Sequence, residues 1–368
     1  MFTAAFIAAA LPLLAAITPA LAQGQTCNAT SQCSSDYPCC SEYGFCNTGT
    51  YCLGGCNPLY SNTVDSCMPM PICESKNYTL SDTSRILSNA TYYNGNASEY
   101  DWIVQQGTIM NATSGGQTAL AMLLTENGGG TLISSTRYVH YGQITARMKT
   151  GRWAGVVTAF ITMSDIKDEI DWEFPGNITT TGQTNYFWQG SIPAKTNGVT
   201  ESGLTDTYEN WHDFTLNWQP DALEFLVDGN VTRTLKASDT VVNGVSQYPN
   251  TPSRIQLSIW PAGISSEPAG TVQWAGGMIN WQDPDYTSAG HFYAYVDTVS
   301  VTCNDPSTPT SDDTSYVYGS NTTTDTPSVS FSNATTEINA AAGLRAVGGA
   351  QGALAMAVAF VAAAVTLF

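Results

Sequence analysis

Asp168-Glu169-Ile170-Asp171-Trp172-Glu173-Phe174 alternates without a break: Glu169, Asp171 and Glu173 fall on one side of an extended chain, and Ile170, Trp172 and Phe174 on the other. A period of two is the pattern of a strand with one buried face. The other face carries the interest. Three carboxylates in a row repel one another, so at least one holds its proton to a higher pH than usual. A solvated outer face would carry such a row at little cost. Yet only 11% of this 368-residue chain is charged, against roughly 25% in an average soluble domain, so three acids on one face are a concentration rather than background. Neighbouring carboxyl groups held at different pKa values can act as nucleophile and proton donor.

Working outward, residues 143–149, 214–218, 223–227, 254–260 and 294–301 also read as short strands, and Asp228-Gly229 supplies a hairpin turn. Long amphipathic helical stretches are absent. Many short strands at this spacing predict an all-β sandwich or jelly roll. Within 254–260, Gln256, Ser258 and Trp260 share a face, which can line a cleft. Glu169 and Glu173 lie about 13 Å apart along their strand at Cα. Retaining glycoside chemistry needs carboxyl groups roughly 5–5.5 Å apart, a gap that two glutamates leaning together could close, and inverting chemistry a wider one.

Charge excludes other classes. With 12 Lys+Arg against 30 Asp+Glu and a net charge of -18, the chain has no footprint for nucleic acid or for an anionic membrane surface. No Gly-x-Ser-x-Gly elbow appears, and Gly128-Gly129-Gly130 lacks the Lys of a phosphate loop. His140, His212 and His291 have no metal-ligand spacing. Neither a metal nor a cofactor is expected.

The ends read as processing signals. Residues 2–17 are nearly all apolar and uncharged and lead to Ala20-Leu21-Ala22, so 1–22 is read as a signal peptide with the mature start near Gln23. Residues 353–368 are again apolar, preceded by a polar spacer and by the small triplet Asn339-Ala340-Ala341. That order predicts a glycosylphosphatidylinositol signal over 339–368, with attachment at Asn339 or, second, Gly343; a plain tail-anchor helix is the competing reading. Residues 304–338, rich in Ser, Thr, Asn and Asp, read as an O-glycosylated stalk. Sequons start at Asn28, Asn77, Asn89, Asn96, Asn111, Asn177, Asn230, Asn321 and Asn333, which fits a secreted glycoprotein.

Nine of the ten cysteines fall between Cys27 and Cys73, and the tenth is Cys303. Secretion favours disulfides over zinc for such a cluster. The run Cys39-Cys40-Ser41-Glu42-Tyr43-Gly44-Phe45-Cys46, followed by Tyr51-Cys52, resembles the hevein-type chitin-binding module (carbohydrate-binding family 18). The resemblance covers about residues 27–56 within a disulfide-rich segment over 23–73. It implies the pairs Cys27–Cys40, Cys33–Cys46 and Cys39–Cys52. It also implies a sugar site in which Tyr43, Phe45 and Tyr51 stack on N-acetylglucosamine and Ser41 binds its acetamide. The remaining four cysteines are expected to pair Cys56–Cys67 and Cys73–Cys303, the latter tying together both ends of the domain at 78–303. So small a module folds on staples rather than on a core, which frees its rings for the surface.

The acidic strand, with Gln183-Thr184-Asn185-Tyr186-Phe187-Trp188, Ser258-Ile259-Trp260-Pro261-Ala262-Gly263 and Gly270-Thr271-Val272-Gln273-Trp274, resembles glycoside hydrolase family 16, and within it the fungal Crh-type, Utr-like cell-wall transglycosylases. The resemblance spans nearly the whole mature chain. It implies a concanavalin-like β-jelly roll over 78–303 preceded by the small chitin-binding module. It implies Glu169 as nucleophile, Glu173 as acid and base, and Asp171 as auxiliary to Glu169. Glu173, Gln256, Trp260, Thr271, Asn185 and Trp188 are expected to contact substrate, with Trp260 as a stacking platform and Tyr186 a further cleft residue. The implied activity is a retaining transfer of chitin, through a covalent glycosyl-enzyme, to β-1,3- or β-1,6-glucan or to chitin. The implied setting is a monomer in the cell wall and at the outer face of the plasma membrane, with the module raising local substrate concentration by tethering. A hydrolase using the same residues (chitinase or β-glucanase) and a cell-surface lectin are the alternatives.

Overall fold

The computed structural model describes residues 25–319 and 326–338. The readings made on 1–22, Asn321, Asn339, Gly343 and 353–368 lie outside the described residues. Two eight-stranded sheets form a sandwich. In chain order the first contains β1 (Ile86–Leu87), β2 (Trp102–Gln106), β3 (Thr131–Val139), β4 (Val156–Ser164), β5 (Glu169–Pro175), β6 (Thr181–Phe187), β7 (Val199–Ser202) and β8 (Ser253–Pro261). Their spatial order is β7-β6-β5-β4-β8-β3-β2-β1, antiparallel except for β1 beside β2. The second sheet runs Asn230–Lys236, Ala222–Val227, His212–Trp218, Gly142–Lys149, Phe292–Cys303, Gln117–Leu124 and Thr108–Ser114, with Lys76–Thr79 also paired to Phe292–Cys303.

The acidic stretch is β5, an inner strand, third from one edge of the first sheet. Its apolar face drives into the sandwich. Ile170, Trp172 and Phe174 are buried with Phe214, Leu216, Phe225 and Leu257. Trp172 stacks on Phe174 with ring centroids 5.8 Å apart and planes at 5°, and Phe174 meets Phe214 at 4.4 Å. Gly182 on β6 makes room for these rings: a Cβ there would lie 2.9 Å from both Phe174 and Trp172. Burying this aromatic set fixes which face of β5 looks outward, because a one-residue slip would bury the acids.

Asp168, one residue before the strand, does structural work. Its carboxyl group is fully buried and accepts from the backbone of Gln189 (3.1 Å) and Asn250 (3.1 Å) and from the Thr251 hydroxyl (2.7 Å). It thereby ties the loops that follow β6 and precede β8 to the start of β5.

Five disulfides join Cys27–Cys40, Cys33–Cys46, Cys39–Cys52, Cys56–Cys67 and Cys73–Cys303. Among the described residues the one group of side chains close enough to hold a metal is Cys27, Cys33 and Cys40, and all three sulfurs are spent in these bridges. No helix among the described residues is long and apolar enough to cross a membrane.

The module is not separate from the sandwich, and one expectation of organisation changes. Glu42 forms an ion pair at 3.0 Å with Arg254 at the start of β8, both side chains nearly inaccessible. The Gly55 N–H donates to Asp165 (2.9 Å), which also accepts from the Tyr138 hydroxyl (2.7 Å). Nor are residues 304–338 a free stalk. Ser315–Tyr318 and Val329–Ser332 form a three-stranded sheet with Met70–Pro71. Tyr316 and Tyr318 are buried in a small core with Met70, Tyr138 and Ile166. The backbone of Ile338 donates to Asn94 O at 2.9 Å. Apolar residues at every second position (Tyr316/Tyr318, Val329/Phe331) outweigh the polar average of the segment.

Replacing Asp168 by Ala would remove three hydrogen bonds, one from the buried Thr251 hydroxyl and two from part-buried backbone N–H groups. The expected loss is about 3 kcal/mol of unfolding free energy, read from denaturant titration.

Candidate active site

The outer face of the first sheet can be followed in rows across the strands. Glu173 pairs with Ala159 on β4 and Gln183 on β6, Asp171 with Ile161 and Asn185, and Glu169 with Met163 and Phe187. Across β4 these rows continue to Ser258, Gln256 and Arg254 on β8, and Trp260 follows beside Val157. Glu169, Asp171, Glu173, Asn185, Gln256, Ser258 and Trp260 therefore share one surface. It is a depression rather than an open plane, since Asp171, Asn185 and Gln256 are buried although they face away from the core. Two buried polar atoms on it have no protein partner, Asp171 Oδ1 and Ser134 Oγ on β3, the latter opposite Gln256. Unsatisfied groups of this kind suit a ligand rich in hydroxyl and amide groups.

The three acids are electrostatically distinct. Burial lifts all three above the ordinary carboxylate range. Asp171 sits between the other two, whose charges push it further up, and it is hydrogen-bonded to Glu169. It thus keeps its proton and donates it to Glu169. That bond, with Lys167, pulls Glu169 back down. Glu173 is raised by burial and then by the charge of Glu169, against which the Trp260 indole N–H donates a hydrogen bond. The Asp171 hydrogen bond and Lys167 thus favour charge on Glu169, and the charge of Glu169 favours the proton on Glu173.

Two expectations are corrected here. Trp260 is only 3% exposed, enclosed by Val157, Ala159, Ala262 and Ala275 and stacked on Trp274 at 6.1 Å and 25°. A ring so covered is no open stacking platform; what it offers the site is its N–H, aimed at Glu173. Tyr186 pairs with Ile170 and so turns to the core side of the sheet, leaving Asn185 and Phe187 on the acid face. Thr271 lies buried on the short helix Ala269–Trp274, whose Trp274 stacks on Trp260. On the module, Tyr43 and Phe45 are 40% and 46% exposed, Tyr51 is half-buried, and the Ser41 hydroxyl accepts from Phe45 N at 3.3 Å. Sequence reasoning missed Arg233. It comes from the second sheet to donate to Thr184 O (2.8 Å) and Asn197 O (2.8 Å), and its charge acts on Asp171. It also missed Ser134, whose place on the face depends on the pairing of β3 with β8.

The sign of the pH dependence of stability follows. Carboxyl groups raised in the folded state cost nothing below their unfolded pKa, where both states are protonated. Their penalty grows as pH rises from about 4 toward the raised folded values. Glu173→Gln removes one of the like charges. Its unfolding midpoint should match that of the wild type near pH 4 and exceed it near pH 8, as thermal melts across this range will show.

Residues 96–276 match glycosyl hydrolases family 16. Crh-like protein 3 of Botryotinia fuckeliana is 40% identical over 329 residues, covering 88% of this chain and 72% of that protein. Congo red hypersensitive protein 2 of Saccharomyces cerevisiae is 44% identical over 298 residues, 80% of this chain and 63% of that protein. A solved structure of the Crh5 transglycosylase in complex with NAG superposes with a TM-score of 0.57 at 27% identity, covering 72% of this chain and 95% of that one. With its acid row on an inner strand of a two-sheet sandwich, the chain belongs to glycoside hydrolase family 16, among the Crh-like proteins.

Proposed function

We propose that this protein is a retaining transglycosylase of the fungal cell wall. It cleaves chitin and transfers the cleaved chain to a β-1,3- or β-1,6-glucan or to another chitin chain. The observation that carries the reading is the row of three carboxylates on one face of β5, where the Asp171 hydrogen bond favours charge on Glu169 and that charge favours a proton on Glu173. The similarity to a Crh5 transglycosylase supports the transfer step.

In the first half-reaction a carboxylate oxygen of Glu169 attacks the anomeric carbon. The glycosidic C–O bond breaks, and the proton of Glu173 goes to the departing sugar oxygen. The product is a glycosyl ester on Glu169 and an ionised Glu173. In the second half-reaction a hydroxyl of the acceptor sugar gives its proton to Glu173 and attacks the same carbon, releasing Glu169. Two displacements retain the anomeric configuration. Water in place of the acceptor gives hydrolysis, so occupancy of the acceptor side decides the outcome.

The chain acts as a monomer outside the cell. It is held at the membrane or wall by a glycosylphosphatidylinositol anchor attached at Asn339 after removal of the apolar tail, and glycosylated at its sequons. The module's Ser41, Tyr43, Phe45 and Tyr51 bind chitin.

Two measurements test this. With a chitin oligosaccharide donor and a fluorescent β-1,3-glucan acceptor, mass spectrometry should find mixed products that disappear in Glu169→Gln. Shortened chitin alone would make the protein a hydrolase, and no change in either sugar would favour a lectin. Glu173→Gln should lower transfer from chitin by about 10²–10⁴-fold. A donor whose leaving group needs no proton should recover most of the first half-reaction, seen as a burst of released leaving group.

A further inference from the structure

We propose that Tyr43 of the disulfide-rich module is a subsite of the catalytic cleft itself, contacted by the same chitin chain that is cut at β5. This rests on the chitin-transfer reading above and adds to it where the chain runs. The row of the acid face that begins at Glu169 passes through Met163 and reaches Arg254. Two strand spacings separate Glu169 from Arg254, about 10 Å. Arg254 is where the module lands.

The landing is close and specific. Glu42 pairs with the Arg254 guanidinium at 3.0 Å. A Cβ at Gly54 would lie 2.7 Å from Arg254 Nη1, and one at Gly55 2.7 Å from the Glu42 Cβ, so only bare backbone fits over the arginine. The buried carboxyl of Asp165 accepts from the Gly55 N–H. Beyond Arg254 the face is closed: Leu53 packs with Tyr93 and Ile103 of β2, with Met68 and Ile338 against them. The module and its connector thus form an end wall across the sheet on the β8 side of the acids. A polymer lying across the strands over β5 and β4 meets that wall.

At the wall Tyr43 follows Glu42 directly, feels the charges of Glu42 and Arg254, and is hydrogen-bonded to Glu42. Yet the residue as a whole stays 40% exposed. An exposed aromatic face whose hydroxyl is held by a fixed carboxylate is a preorganised stacking surface for the C–H face of a sugar. Because Glu42 is locked to β8, the ring keeps a constant distance from Glu169. A module on a free linker would raise local substrate concentration for donors of every length; a fixed ring rewards only chains long enough to span from the scissile bond to it.

The test compares long and short chitin oligosaccharides as donors to a labelled glucan acceptor, in the full chain and in Tyr43→Ala and Glu42→Gln. In the wild type kcat/KM should rise with donor length past the span of the cleft. Tyr43→Ala, a change at the surface, should cut the long-to-short ratio by several-fold, up to about tenfold, the scale of one aromatic contact. Glu42→Gln should cut the same ratio while the protein still sediments with insoluble chitin. A ratio unchanged in Tyr43→Ala, or equal losses for long and short donors, overturns the proposal. If the wild type does not turn over chitin, the functional reading fails. Calorimetric titration of Glu169→Gln with the same oligosaccharides then decides: affinity that grows with length and loses that growth in the double variant with Tyr43→Ala supports the subsite, and length-independent affinity rejects it.

Discussion

Like charges on one strand face push apart, and the rest of this molecule is arranged so that three of them stay together. The cohesion comes from the opposite face of the same strand. Ile170, Trp172 and Phe174 are sealed among Phe214, Phe225 and Leu257, and each buried aromatic is worth a few kcal/mol in removed apolar surface. That burial offsets the cost of holding Glu169, Asp171 and Glu173 side by side, and it forbids the register slip that would turn them into the core. The repulsion is then used. Crowding favours protons on Asp171 and Glu173, the hydrogen bond from Asp171 favours charge on Glu169, and the Trp260 N–H works against the proton on Glu173.

A second set of contacts makes the module part of the same body. A buried arginine with one carboxylate partner is costly to leave unpaired, so the Glu42–Arg254 pair specifies a docking position as well as an affinity. Gly54 and Gly55 over the guanidinium, and the peptide N–H given to Asp165, add shape and direction to that specification.

What the sequence disclosed and what it hid divide by range. The alternation in 168–174 displayed both faces of β5, because strand phase is a local property. The same logic assigned Gln256 and Ser258 to the cleft. It failed at Tyr186, since the phase of β6 relative to β5 is a pairing fact: Tyr186 lies opposite Ile170, not opposite an acid. It failed at Trp260 because the ring covering it, Trp274, arrives on a short helix beyond the end of β8. Arg254 is an ordinary strand residue in sequence, and nothing near it announces a partner more than two hundred positions away. The segment 304–338 was judged by average composition, which conceals four alternating apolar residues.

The Cys73–Cys303 bridge closes a loop with a sequence separation of 230 residues, and the whole sandwich lies inside it. Everything N-terminal to Cys73 and everything C-terminal to Cys303 lies outside it. Consider a mechanical load applied between those two outer segments, as when one end is held and the module grips a fibre. The covalent path runs from one segment through the sulfurs to the other and bypasses every strand of the catalytic sandwich. Once the module's contacts with β8 give way, tension would peel the short sheet of Met70–Pro71, Ser315–Tyr318 and Val329–Ser332, while the acid strand lies outside the covalent path.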